Sequence, residues 1–152
     1  MTVTVRTATV ADAPLIASFN QFLALETEGK TLPEATIVQG VSTILGDATR
    51  GSYYLACDAE RVVGQLMITF EWSDWRDGWF WWIQSVYVEK DARKLGVFRT
   101  LYQHVKTLAR ERPDVCGIRL YVEKDNTRAQ STYTALGMAT TPYLIMEEEF
   151  AR

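Results

Sequence analysis

Apolar and polar positions alternate along the chain with a period that switches repeatedly between two and about 3.6, the signature of strands interleaved with helices. Thr2 to Thr7 alternates β-branched and polar residues and reads as a first strand. Leu15, Ile16, Phe19, Phe22 and Leu23 keep helical spacing from Leu15 to Leu25, with Thr9 or Asp12 as a cap and Pro14 in the first turn. A second helix opens at Leu32, Pro33 and Glu34, shows an apolar face at Ile37, Val38, Val41, Ile44 and Leu45, and stops near Gly46. Ser52 to Asp58 and Arg61 to Trp72 flank a short turn that suits an antiparallel hairpin. The turn from Ser73 to Gly78 leads into Trp79 to Val88, whose only polar breaks are Gln84 and Ser85, so this run reads as a central strand covered on both faces.

Leu95 to Arg110 follows as an amphipathic helix with Leu101, Val105 and Leu108 inward, and Pro113 ends it. Val115 to Val122 alternates as a further strand. A helix opening at Asn126 runs to Leu136 and Gly137, a C-cap signal, and Tyr143 to Phe150 reads as a last strand. The order is strand, two helices, three strands, helix, strand, helix, strand, which makes a mixed α/β sheet. Where neighbouring strands run parallel, the connections at Arg93 and Asn126 start their helices at one sheet edge, where ligands bind in such folds.

Composition narrows the reading. A chain of 152 residues with 47% hydrophobic content fits a single domain. The net charge of -3 gives no general attraction to nucleic acid or to an anionic membrane. Cys57 and Cys116 have neither metal-knuckle nor redox spacing, so no metal site is expected. The N-terminal residues lack the form of a signal peptide, and no apolar run approaches a membrane span, so a soluble cytoplasmic protein is expected.

Candidate chemistry concentrates between Val86 and Leu101. A helix start carries N–H groups with no internal partner and a partial positive charge, so Arg93 to Phe98 reads as an anion site. Gly96 permits close backbone approach, and Arg93, Lys94 and Arg99 add positive charge; an ordinary connection with solvated basic residues has the same composition. Glu26 and Glu28, between the first two helices, are candidates to recognise a cationic substrate, or are simply solvated. Trp72, Trp75 and Trp79 either line an acceptor pocket or close a sheet edge or dimer contact. His104 has no triad partner at motif spacing and reads as a surface or packing residue.

The order of elements and the two connections resemble the GNAT superfamily of N-acetyltransferases over nearly the whole chain. Val86, Val88, Arg93 and Gly96 match its first signature, with Lys94 at a frequent glycine and Phe98 where Gly or Ala is usual. Asn126, Ala129, Tyr133, Leu136 and Gly137 match the second. The resemblance implies a mixed, mostly antiparallel sheet of about six to seven strands flanked by four helices, with a parallel pair at the cofactor cleft. It also implies acetyl-CoA as cofactor, its pyrophosphate on the backbone N–H groups of Arg93, Lys94, Leu95, Gly96, Val97 and Phe98, with Arg99 beside them. The pantetheine arm would pair with the splayed strand end Val86, Tyr87 and Val88, and Asn126, Arg128 and Ala129 would complete the cofactor set.

Within the superfamily the chain looks like the diamine and polyamine acetyltransferase branch, where a carboxylate commonly lies on the signature strand; Gln84 and Ser85 stand there and would face the substrate with Glu26, Glu28, Trp72 and Trp75. Tyr133 would sit by the thioester sulfur and protonate the departing thiolate, and the Val88 N–H would polarise the carbonyl. Glu71 is the leading candidate to take the proton of the amine. The expected activity is direct acetyl transfer to a small primary amine by a homodimer. A non-catalytic acyl-CoA-binding module and a protein or peptide N-acetyltransferase are the alternatives.

Overall fold

A computed structural model describes every residue from Met1 to Arg152 and divides into two compact units, Met1–Tyr121 and Val122–Arg152. The first unit is built on a five-stranded sheet in the order β1-β2-β3-β4-β5. Strands β1 (Val3–Thr7), β2 (Ser52–Asp58), β3 (Arg61–Ser73) and β4 (Gly78–Val88) pair antiparallel with their neighbours, and β5 (Val115–Leu120) lies parallel to β4.

Helices α1 (Ala13–Glu28) and α2 (Glu34–Leu45) cover one face of the sheet, where Ala13, Ile16, Val41, Tyr53, Leu55 and Met67 form a buried cluster. Pro14 sits in the first turn of α1, and Gly29 ends the helix with φ 64°, a left-handed conformation that glycine adopts without steric cost. The chain enters α1 through a tight polar knot: the Arg6 guanidinium makes paired 2.9 Å hydrogen bonds to Asp12, and the Thr9 N–H donates to the same carboxylate at 2.8 Å.

Helix α3 (Val97–Arg110) covers the opposite face. Its stripe of Val97, Leu101, Val105 and Ala109 recurs every four residues and is buried, so each side chain of leucine or valine size contributes roughly 1.5–3 kcal/mol of transfer free energy. Gly64 on β3 is small because α3 lies against it: a Cβ there would stand 3.0 Å from Val97 Cγ1. His104 packs its ring edgewise on Tyr54 at 5.4 Å, the packing role expected of it.

The second unit carries α4 (Thr127–Ala135), capped by Asn126, whose Oδ1 accepts from the Ala129 N–H at 3.1 Å. The expected strand from Tyr143 to Phe150 does not form, and the strand count is five rather than six or seven. The segment has the right residue types, but β propensity expresses packing on a pleated surface, and here Leu144 is 91% and Met146 94% exposed. No helix of the chain is long and apolar enough to cross a membrane.

Candidate active site

Strand β4 is irregular where the sequence places Gln84 and Ser85. Its pairing with β3 runs in register from Ser73↔Gly78 to Met67↔Gln84, then resumes at Gln65↔Tyr87, so two residues of β4 stand opposite the single Leu66. Ser85 takes φ 51° at this bulge, an uncommon conformation for a residue with a Cβ. On the other edge, pairing with β5 ends at Ile83↔Leu120, so β4 runs on to Val88 beyond the last β5 pair. An extended backbone edge is therefore open from Gln84 to Val88, beside the bulge.

The chain leaves β4 through a short 3₁₀ turn, Lys90–Ala92, and enters α3 over Arg93 to Gly96. Lys94 (φ 65°) and Gly96 (φ 80°) are both left-handed, and Gly96 is the helix N-cap without a side chain to cap the first turn. A helix start leaves its first N–H groups without an acceptor one turn back, so the amides of Val97 and Arg99 point out of the helix beneath the exposed Lys94 and Arg99 side chains.

Arg93 is engaged on the protein itself. Its Nε donates to the Val88 carbonyl at 2.9 Å, its terminal nitrogen reaches Glu26 at 2.7 Å, and its guanidinium lies 5.5 Å from the Tyr87 ring centre. Glu26, expected as a substrate ligand, instead ties the end of α1 to this turn, with Lys90 at 3.8 Å on its other oxygen.

A cavity of about 570 Å³ opens between α1, α2 and the middle of the sheet. Leu23, Leu32, Ile37, Val41, Ile44 and Met67 give it apolar walls, and Asn20, Tyr53, Gln84 and Ser85 give it a polar side. Glu28 is the one carboxylate in its lining and is only loosely engaged, 3.7 Å from Lys30. Of the expected substrate residues, the structure thus brings Glu28, Gln84 and Ser85 together. Burial raises the Tyr53 phenol above its ordinary pKa, partly offset by the neighbouring side chains of Asn20, which donates to it, and Ser85.

Glu71, Trp72 and Trp75 lie elsewhere in the first unit. Glu71 pairs with Phe80, four residues before Gln84, which at about 3.3 Å per residue is some 13 Å along β4. Its carboxylate accepts from Arg119 at 2.8 Å and from the Trp82 indole N–H at 3.3 Å, so it is a structural ion pair outside the cavity. Trp72 packs edgewise on Trp79 near the hairpin tip, and Trp75 is 86% exposed in the turn itself. Tyr133 lies in the second unit on α4, half-buried, and burial pushes its phenol above the ordinary value. Asn20, Tyr53 and Gln65 escaped sequence reading because single polar residues in apolar runs carry no motif.

A parallel strand pair that parts beside a bulge, followed by an open helix start, defines a class of α/β proteins that bind an extended ligand with an anionic end. The chain belongs to the acetyltransferase (GNAT) family, whose model matches residues 20–138. It is similar to a solved structure of a possible acetyltransferase from Clostridium difficile 630, with 41% identity, full coverage of both chains and a TM-score of 0.93. A transcriptional regulator from Bacillus halodurans C-125 is 25% identical over 98% of this chain and 100% of its own, with a TM-score of 0.80. A protein from Clostridium acetobutylicum described as "predicted acetyltransferase with acetyl-CoA" shares the fold, with 17% identity over 97% of this chain and 96% of its own and a TM-score of 0.78. No protein of curated function matches the chain.

The residues present fit the cofactor of that family. Nothing stands within 4 Å of the position a Gly96 Cβ would take, so the backbone there is open to a close-lying phosphate group. The uncapped amides, Lys94 and Arg99 supply donors and positive charge for a pyrophosphate, and the open β4 edge supplies amide partners for an extended amide-bearing arm.

Proposed function

We propose that the protein is an acetyl-CoA-dependent N-acetyltransferase that transfers the acetyl group directly to a primary amine. One observation carries the reading: the bulged, open end of β4 borders a cavity lined by apolar side chains, neutral polar groups and a single carboxylate. Acetyl-CoA, when bound, supplies a thioester carbon open to attack by a neutral amine. Val97, Arg99 and Lys94 hold its pyrophosphate, and the backbone of Val86 to Val88 holds its arm.

The chain's own groups then meet the remaining needs. A primary amine has a pKa near 10.4, so it arrives as a cation; Glu28 draws it toward the cavity and takes its proton, passing it to solvent, before the amine attacks. The apolar wall covers the body of the amine. Tyr133 serves as the proton donor to the departing thiolate; with its phenol raised by burial it keeps its proton at neutral pH, which that role requires. Glu71, held by Arg119, is not part of this scheme.

Incubation with acetyl-CoA and a panel of hexylamine, phenethylamine, cadaverine, an α-amino acid and a peptide with a free N-terminus, followed by free-thiol release, tests the proposal. Release with the primary amines supports it. Cofactor binding without release from any acceptor identifies a binding module instead, and release from the peptide alone identifies a protein acetyltransferase.

A further inference from the structure

Asn20 and Gln65 are the buried polar side chains of the core, 5% and 0% exposed, in a layer otherwise made by Ile16, Val41, Leu55 and Met67. Such groups destabilise a core for each polar atom left unbonded. Their orientation is fixed from one end. The Ser85 carbonyl can only accept, so Gln65 turns Nε2 toward it, at 3.0 Å. The same Nε2 donates to Asn20 Oδ1 at 3.2 Å, which leaves Asn20 Nδ2 to donate to the Tyr53 hydroxyl at 3.1 Å. Donation thus runs outward from Gln65 Nε2, on one side to the carbonyl at the β4 bulge and on the other through Asn20 to the Tyr53 hydroxyl.

That direction leaves Gln65 Oε1 buried with no partner. A layer built for stability alone is better served by apolar side chains of similar volume than by a network with an orphaned acceptor. What the arrangement achieves is to fix the Tyr53 hydroxyl: one lone pair receives the Asn20 N–H, and Tyr53 lines the cavity. The phenol has a second lone pair for an N–H of a bound molecule.

We infer that Tyr53 seats the acceptor nitrogen in this cavity, and that Gln65 and Asn20 are positioning residues acting through it; the inference rests on the N-acetyltransferase reading above. An attacking amine must aim its own lone pair at the thioester, so it has to be held through its N–H bonds. A neutral acceptor at a fixed angle does this while favouring the unreactive ammonium form less than a carboxylate does. Gln84 and Ser85 line the same cavity from β4, where a carboxylate would instead favour the cation.

The test is a double-mutant cycle of Tyr53→Phe and Gln65→Met, with hexylamine, phenethylamine, cadaverine and the peptide as acceptors and thiol release as readout. Tyr53→Phe removes one oxygen and keeps the ring. It is expected to lower kcat/KM for the acceptor roughly 10- to 100-fold, as for a lost hydrogen bond to a reacting group, while KM for acetyl-CoA stays within about twofold. Gln65→Met is expected to lower the acceptor kcat/KM by roughly 3- to 10-fold alone and to add nothing on the Tyr53→Phe background. Asn20→Leu takes the place of Gln65→Met in the cycle if that variant does not fold. Wild-type acceptor kinetics in Tyr53→Phe, or losses that multiply in the double variant, overturn the inference. Absence of thiol release from the wild type with every acceptor overturns the enzymatic reading itself, a distinct result.

Discussion

Gly96 is the sharpest point at which local backbone energetics and ligand binding meet. It stands at the N-cap of α3 with φ 80°, and a Cβ built there would touch nothing within 4 Å. Gly96→Ala therefore introduces no clash, and its whole cost is conformational, about 1–2 kcal/mol for an L-residue held in the left-handed region. For a chain of 152 residues that corresponds to a fall in Tm of roughly 2–8 °C. Relief of the strain, by rotating φ to a negative value, would turn the Gly96–Val97 peptide and displace the amides of the first turn. Loss of one charge-assisted hydrogen bond to pyrophosphate would then weaken coenzyme A binding by roughly 10- to 100-fold. Gly96→Asn is the control, because Asn tolerates the left-handed region and should recover about half of both effects. Thermal unfolding and calorimetric titration with coenzyme A measure the two quantities. A Gly96→Ala protein with wild-type Tm and wild-type affinity refutes the reasoning, since strain and cradle would then both be absent.

Other predictions are more direct. Tyr133→Phe is expected to lower kcat by roughly 10²- to 10⁴-fold with coenzyme A affinity retained, and unchanged turnover removes the phenol from the chemistry. Glu28→Gln should raise KM for cationic amines by roughly 5- to 10-fold and flatten its dependence on salt, as read from initial rates at two ionic strengths. Asp12→Asn should destabilise the fold by about 1 kcal/mol in chemical denaturation at pH 7. The Arg6 guanidinium holds the Asp12 carboxyl below its usual range, so this contribution is complete above the unfolded-state value of about 3.9 and is lost as pH falls through the lower folded value. A wild-type minus Asp12→Asn difference that does not shrink on acidification contradicts that assignment.

The alternation of Ser52 to Trp72, the apolar run of Trp79 to Val88 and the four-residue stripe of α3 were enough to predict the strands and helices of the first unit, because each element's period is written locally. Caps set the ends of α1, which starts at Ala13 after Asp12 and stops before Gly29, whereas β5 stops at Leu120 rather than Val122. Tyr143 to Phe150 misled because a strand needs a partner as well as a pattern. The site was legible to the extent that it is made of backbone. Arg93 to Phe98 is a helix start in the structure as in the sequence, and Gln84 and Ser85 mark the strand irregularity. Side-chain networks were not legible. Gln65 meets Asn20 across 45 positions and Ser85 across 20, and Glu71 meets Arg119 across 48, distances over which no spacing rule operates.

The Arg93–Glu26 contact has a mechanical meaning. One helix bears both Asn20 and Glu28 on the cavity and Glu26 on the loop ahead of α3, so α1 acts as a rigid lever with the guanidinium as its pin. A tilt of that lever toward an incoming amine tugs on Val88 and on the loop through the same residue. Breaking the pair with Glu26→Gln frees both the end of α1 and the loop ahead of α3 at once, because a single guanidinium serves the two.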